Sequence, residues 1–263
     1  MAALLPAQSC KSLRRRLSGA MIQKAVIFDL DGTLVDTAPD LWRATNHCLS
    51  LRGRRGVTLE EARAFVGHGA RKLIARGLAA TGDPLGDQDI ETLYGAFVAY
   101  YSDNIAVDSA PFPGCLVLLD QLKAEGIGLG ICTNKLEGLS TKLIDALGMS
   151  SYFDAIIGPD TIGIGKPDPA PYREALRRME RQNGRSLLVG DSETDVLTAR
   201  AAGVPIIGVT FGYTARPVAE FKPDALIGQF NEAFEPIMAM LDGDRAALSG
   251  MDAPERDRAP SIS

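Results

Sequence analysis

Apolar residues in this chain gather into short runs separated by stretches of helical period. Residues 24–28 (KAVIF) form one such run, closed by a turn signal, which is the pattern of a strand buried on both faces. Comparable runs recur at 128–132, 155–157, 186–189 and 205–209. Between them, helical spacing extends over about 114–125, 136–147, 169–182 and 193–202. Gly126, Gly148 and Gly203 stand just past three of these stretches, where a glycine in a left-handed conformation ends a helix. Strands alternating with helices of this length predict an α/β fold, a doubly wound parallel sheet with helices on both faces.

One segment breaks the alternation. From about residue 39 to 105 no convincing strand is found, only helical patterns near 40–51, 59–65, 70–80 and 88–102. This reads as an all-helical cap, residues 38–108, inserted into an α/β core made of 21–37 and 109–241. The expected hinges are Asp36–Thr37 and the turn-rich stretch 108–113. Residues 1–20 are Arg- and Ser-containing and free of acids, as an organellar transit peptide is. The plainer expectation is a disordered extension, or a true start at Met21. Residues 242–263 are polar and without apolar period, and are expected to be a disordered tail.

Composition narrows the partners. With 46% hydrophobic and 23% charged residues among 263, the chain has material for a sizeable core. Net charge is −5, and the four basic residues of the first twenty (Lys11, Arg14, Arg15, Arg16) make the remaining body more acidic still. An acidic body without a basic stripe argues against nucleic acid, so an anionic substrate needs a local positive site or a metal. Four scattered cysteines and two histidines lack zinc spacing and suggest no disulfide framework. No apolar stretch approaches the roughly 18–20 residues of a membrane helix. A soluble, bacterial-type cytoplasmic protein is expected, monomer or dimer being left open.

Four short signals fall at the ends of expected strands, where open α/β sheets bind ligands. Asp29-Leu30-Asp31-Gly32-Thr33 places two carboxylates on one face, and these repel unless a cation bridges them or one is protonated; a solvated turn is the bland alternative. Thr133-Asn134 offers a hydroxyl and an amide that can bind phosphate oxygens or simply cap a helix. Lys166-Pro167 offers a compact cation on a stiffened loop, or a surface lysine. Gly190-Asp191-Ser192-x-x-Asp195 offers carboxylates for a hard cation, with Asp195 also suited to helix capping. A P-loop at Gly163-Ile164-Gly165-Lys166 is excluded, because Asp160 and Pro167 stand where the motif needs Gly and Ser or Thr.

Together and in this order, the four signals resemble the motifs of the haloacid dehalogenase superfamily, over about residues 22–241. The helical insert after the first motif is similar to that family's first cap type. Val35-Asp36-Thr37-Ala38-Pro39-Asp40 and Phe65-Val66-Gly67-His68-Gly69-Ala70 resemble bacterial phosphoglycolate phosphatases. The resemblance implies a Rossmann-like core and a Mg2+-dependent phosphomonoesterase for a small phosphorylated metabolite, 2-phosphoglycolate first among them. It implies Asp29 as nucleophile and Asp31 as acid and base, with Thr133, Asn134 and Lys166 holding the phosphoryl group. It further implies metal ligation by Asp29, Asp191 and the Asp31 backbone carbonyl, with Asp195 in support. Specificity is expected from the cap, with Gly67, His68, Gly69 and Arg71 as candidates near the start of a helix. Open alternatives are a phosphatase for a sugar phosphate, nucleoside monophosphate or pyrophosphate, a phosphomutase, and a non-catalytic binding protein.

Overall fold

Eight strands and ten α-helices alternate along the described residues of the computed structural model, which are 22–67, 69–213 and 215–243. The strands are β1 (Lys24–Phe28), β2 (Val35–Asp36), β3 (Ala110–Pro111), β4 (Gly128–Cys132), β5 (Ala155–Ile157), β6 (Arg185–Gly190), β7 (Ile206–Val209) and β8 (Ala225–Ile227). The first four helices are α1 (Ala38–Ser50), α2 (Leu59–Phe65), α3 (Ala70–Thr81) and α4 (Asp87–Asp103). They are followed by α5 (Cys115–Ala124), α6 (Glu137–Ala146), α7 (Pro159–Ile162), α8 (Ala170–Arg178), α9 (Glu193–Ala202) and α10 (Phe234–Asp242).

Six strands form one parallel sheet in the order β5-β4-β1-β6-β7-β8. β1 is central, with Ala25 opposite both Gly128 of β4 and Ser186 of β6. Its side chains alternate between two buried layers: Val26 and Phe28 pack into the larger core cluster, Ala25 and Ile27 into the smaller. Both faces are therefore covered, which is why the strands read as continuous apolar runs. Successive strands are added outward from β1 to one side and from β6 to the other. The crevice between those two is thus the switch point at which such sheets bind ligands.

The helices α1–α4 lie between β2 and β3 and contribute no strand. They share a core that includes Leu41, Leu73, Ile74, Leu78, Leu93 and Phe97. β2 and β3 pair antiparallel, Val35 opposite Pro111 and Asp36 opposite Ala110, so the chain leaves and re-enters at one place. The buried Asp40 carboxylate secures that junction. Its Oδ2 accepts from Ser109 N (2.9 Å), Ser109 Oγ (2.7 Å) and Asp108 N (3.1 Å), and Arg43 pairs with Oδ1 (2.6 Å).

Two expectations need correction. The helix expected over 169–182 ends at Arg178, because Glu180 adopts a φ of 57° and Arg181 N returns to the Leu176 carbonyl at 2.8 Å. Asp242, assigned to the tail, is the last residue of α10 and pairs with Lys24 at 2.7 Å. The extension 1–20, His68 and residues 244–263 lie outside the described residues.

Candidate active site

The site is assembled where β1, β4 and β6 end. Asp29 follows β1 directly, and its N–H still donates to Val189 O at 2.9 Å, so the parallel ladder carries it to the sheet edge. Thr133 follows β4 in the same manner, donating to Ile157 O at 3.0 Å. Asp191 follows β6. Gly32, at a φ of 86°, turns the chain at once after Asp31, and a Cβ there would stand 2.6 Å from Asp191 Oδ2. Glycine is thus required twice over, by the backbone conformation and by the close approach of a carboxylate.

Lys166 sits between two acids. Its Nζ lies 2.8 Å from Asp29 Oδ1 and 2.5 Å from Asp195 Oδ1. Burial alone would lower this ammonium, but Asp195 and Asp29 hold it above its ordinary value. Asp195 also accepts from Ser192 N (3.1 Å) and Ser192 Oγ (2.5 Å), closing a capping box at the start of α9. Its helix-capping and site-facing roles are therefore carried by the same carboxylate.

Asp29, Asp191 and Asp195 each bring a carboxylate oxygen within 4.8 Å of the other two, and all three are buried. Burial pushes Asp29 up to about 7, with Asp195 and Asp31 adding to the rise and Lys166 opposing it. The same burial, reinforced by Asp195 and Asp29, raises Asp191 well above the usual carboxylate range. Three buried acids around one ammonium make full ionisation of Asp29 costly. A hard divalent cation with oxygen ligands fits this donor set, because it supplies the missing positive charge.

The Asp31 carboxylate points elsewhere. It receives Lys135 Nζ at 2.6 and 2.8 Å and Thr37 Oγ1 at 2.7 Å. Thr37 in turn meets the Tyr213 hydroxyl, at 3.0 Å from its N–H and 2.9 Å from its Oγ1. Lys135 and Tyr213 carry no expectation from the sequence, and Thr37 is expected there only as a hinge and motif position, not as a site residue. Lys135 directly follows Thr133-Asn134 and was there to be noticed; Tyr213 comes from the loop after β7, with no local signal.

A cavity of about 290 Å³ covers the edge, bounded below by Asp29, Asp31, Thr133, Asn134, Lys135 and Lys166. Asn134 also braces the site, its Nδ2 donating to Lys166 O at 3.2 Å. The opposite wall comes from the helical insert and is largely apolar, including Leu41, Val66, Leu73 and Phe97. Gly67, Gly69 and Arg71 line it too. Arg71 is half exposed, chelates Glu91 (2.5 and 2.9 Å) and lies 3.7 Å over the Tyr94 ring.

Comparison with known proteins identifies the family. Residues 26–209 match the haloacid dehalogenase-like hydrolase family. A phosphoglycolate phosphatase of Mesorhizobium japonicum is 44% identical over 211 residues, covering 80% of this chain and 93% of that protein. One from Caulobacter vibrioides is 41% identical over 235 residues, covering 89% and 98%. Among solved structures, a predicted phosphoglycolate phosphatase from Haemophilus somnus aligns with a TM-score of 0.75 at 29% identity, over 83% of this chain and 99% of that one. CbbY from Rhodobacter sphaeroides, solved in complex with phosphate, aligns with a TM-score of 0.67 at 30% identity, over 81% and 96%. The family match and the relatives show the membership: the chain belongs to the haloacid dehalogenase-like hydrolase family.

Proposed function

We propose that the protein is a magnesium-dependent phosphomonoesterase that hydrolyses 2-phosphoglycolate through an aspartyl-phosphate on Asp29. The observation that carries this reading is the single cavity floor shared by Asp29, Asp31, Thr133, Asn134 and Lys166. The named activity of the relatives from Mesorhizobium and Caulobacter supports the choice of substrate.

Asp29 attacks phosphorus, and the ester oxygen departs toward Asp31, which delivers a proton to it. Asp31 then takes a proton from the water that opens the aspartyl-phosphate, returning Asp29 and inorganic phosphate. Thr133 and Asn134 hold the phosphoryl oxygens while Lys166 offsets their charge. That offset matters: two unit charges 4 Å apart interact by about 4 kcal/mol at an effective dielectric near 20, about three decades in rate if uncancelled. Asp29, Asp191 and the Asp31 carbonyl would hold magnesium, with Asp195 in support. When bound, the ion neutralises charge at the phosphoryl oxygens.

The helical insert acts as a cap and contributes to specificity. It forms one wall of the cavity, where Gly67, Gly69 and Arg71 lie, while Asp29, Thr133, Asn134 and Lys166 at the sheet edge handle the phosphoryl group. Phosphate release from 2-phosphoglycolate, pyrophosphate, nucleoside monophosphates and hexose phosphates tests the reading. A kcat/KM highest for 2-phosphoglycolate is expected. A sugar phosphate in first place would transfer the preference to the class of ligand with which CbbY was crystallised as a mutant, xylulose-1,5-bisphosphate.

A further inference from the structure

We propose, on the reading of the cavity as a phosphomonoesterase site, that Lys135 and Tyr101 form the subsite for a second anionic group on the substrate, a carboxylate borne on the carbon next to the ester oxygen. Lys135 is a buried cation, its side chain 5% exposed, and it lines the cavity. A lysine ammonium has three donors. Two go to the Asp31 oxygens, and no third acceptor is found among the described residues. Tyr101, from α4 of the insert, lies beneath that ammonium, its ring centroid 4.7 Å from Nζ. It lines the same cavity, and its buried hydroxyl has no hydrogen-bond partner among the described residues.

Burying a hydroxyl without a partner costs about 1–3 kcal/mol, so such a group calls for an explanation. A ligand that completes it is one. Burial, with the charges of Asp31 and Asp40 adding, keeps the phenol well above its ordinary value, so it stays a donor. Position then selects the ligand. Asp31 faces the ester oxygen in the proposed reaction, and Lys135 grips both Asp31 oxygens. In 2-phosphoglycolate a single methylene separates the ester oxygen from the carboxylate, which brings that carboxylate beside the lysine. Arg71, a specificity candidate from the sequence, is half exposed, so solvent screens its charge far more than that of the buried Lys135. The neighbouring wall of Leu41, Leu73 and Phe97 is apolar, and a lower local dielectric sharpens the contrast between a paired and an unpaired charge.

The test compares kcat/KM for 2-phosphoglycolate with that for 2-hydroxyethyl phosphate, which replaces the carboxylate by a neutral alcohol. Full-length wild type, Lys135→Met, Lys135→Arg and Tyr101→Phe are measured. Wild type is expected to favour 2-phosphoglycolate, and Lys135→Met to cut that preference by tenfold or more. Lys135→Arg should keep most of it. Tyr101→Phe should lower it several-fold through KM while its melting temperature holds or rises, since no protein hydrogen bond is removed. If Lys135 only positions Asp31, both esters lose alike, and an unmoved ratio overturns the subsite. Should Lys135→Met fail to fold, an unmoved ratio in Tyr101→Phe overturns it. A wild type that hydrolyses both esters equally well overturns it too, leaving the phosphatase reading intact. A wild type inert toward both overturns that reading and the subsite with it.

Discussion

Asp29 and Asn have the same shape but only one is a nucleophile, so Asp29→Asn is expected to abolish steady-state phosphate release. The fold should survive, because an amide relieves the crowding of buried acids around Lys166. Sustained turnover by a contaminant-free Asp29→Asn protein would remove the aspartyl-phosphate from the mechanism. Asp31→Asn should act differently on different esters. General acid catalysis is worth about 10²–10⁴-fold where the departing oxygen is basic, so single-turnover Asp29 phosphorylation should slow far more with an alkyl ester than with p-nitrophenyl phosphate. Equal slowing would take Asp31 out of the acid role. Asp29, Asp31, Lys166 and Asp191 were legible in the sequence because each stands at a punctuation mark, the end of an apolar run or a Pro/Gly turn. Tyr101 was not: on α4 it has the apolar spacing of a packing residue, and only its missing hydrogen-bond partner sets it apart. Thr37 and Tyr213 escaped because 176 residues separate the two hydroxyls that meet.

At the scale of elements, period and punctuation carried most of the information. The expected strands 24–28, 128–132 and 155–157 coincide with β1, β4 and β5, since residues buried on both faces leave an unbroken apolar signal. β2 and β3 were missed for want of length, since two residues show no period; β8 was missed although it is no shorter than β5. Helix α1 illustrates what a pattern cannot reveal. Its Asp40 falls in the first turn, where an acid suits the helix dipole, yet it is buried and holds the backbone of the returning segment. Asp40→Ala strands several donors at once, and a loss of roughly 3 kcal/mol or more is expected. Chemical denaturation measures it; a loss within 1 kcal/mol, about that of one neutral hydrogen bond, would mean the junction is held by other contacts.

For the molecule as a whole, the acid cluster ties stability to pH and, through the proposed magnesium site, to metal. Asp29 titrates near 3.8 when unfolded and about 7 when folded without metal. A raised folded value adds stability that is complete below the unfolded value and is lost as pH rises through the folded one. Metal-free protein should therefore melt at lower temperature at pH 8 than at pH 6, as far as Asp29 decides it. Magnesium at the proposed site competes with the proton for the same oxygens, so its stabilising effect should grow over that interval. Melting curves in chelator and in excess magnesium at the two pH values check this. An equal gap at both would separate metal binding from Asp29. The paired strands β2 and β3 have a consequence of another kind. The helical segment hangs from the sheet by one narrow stem, and the span its two ends must bridge is fixed by that stem alone. Helices above it can lengthen, tilt or be replaced in descent without asking the sheet to move. With the insert acting as the proposed cap, the share of substrate preference that it carries is free to drift from one lineage to the next.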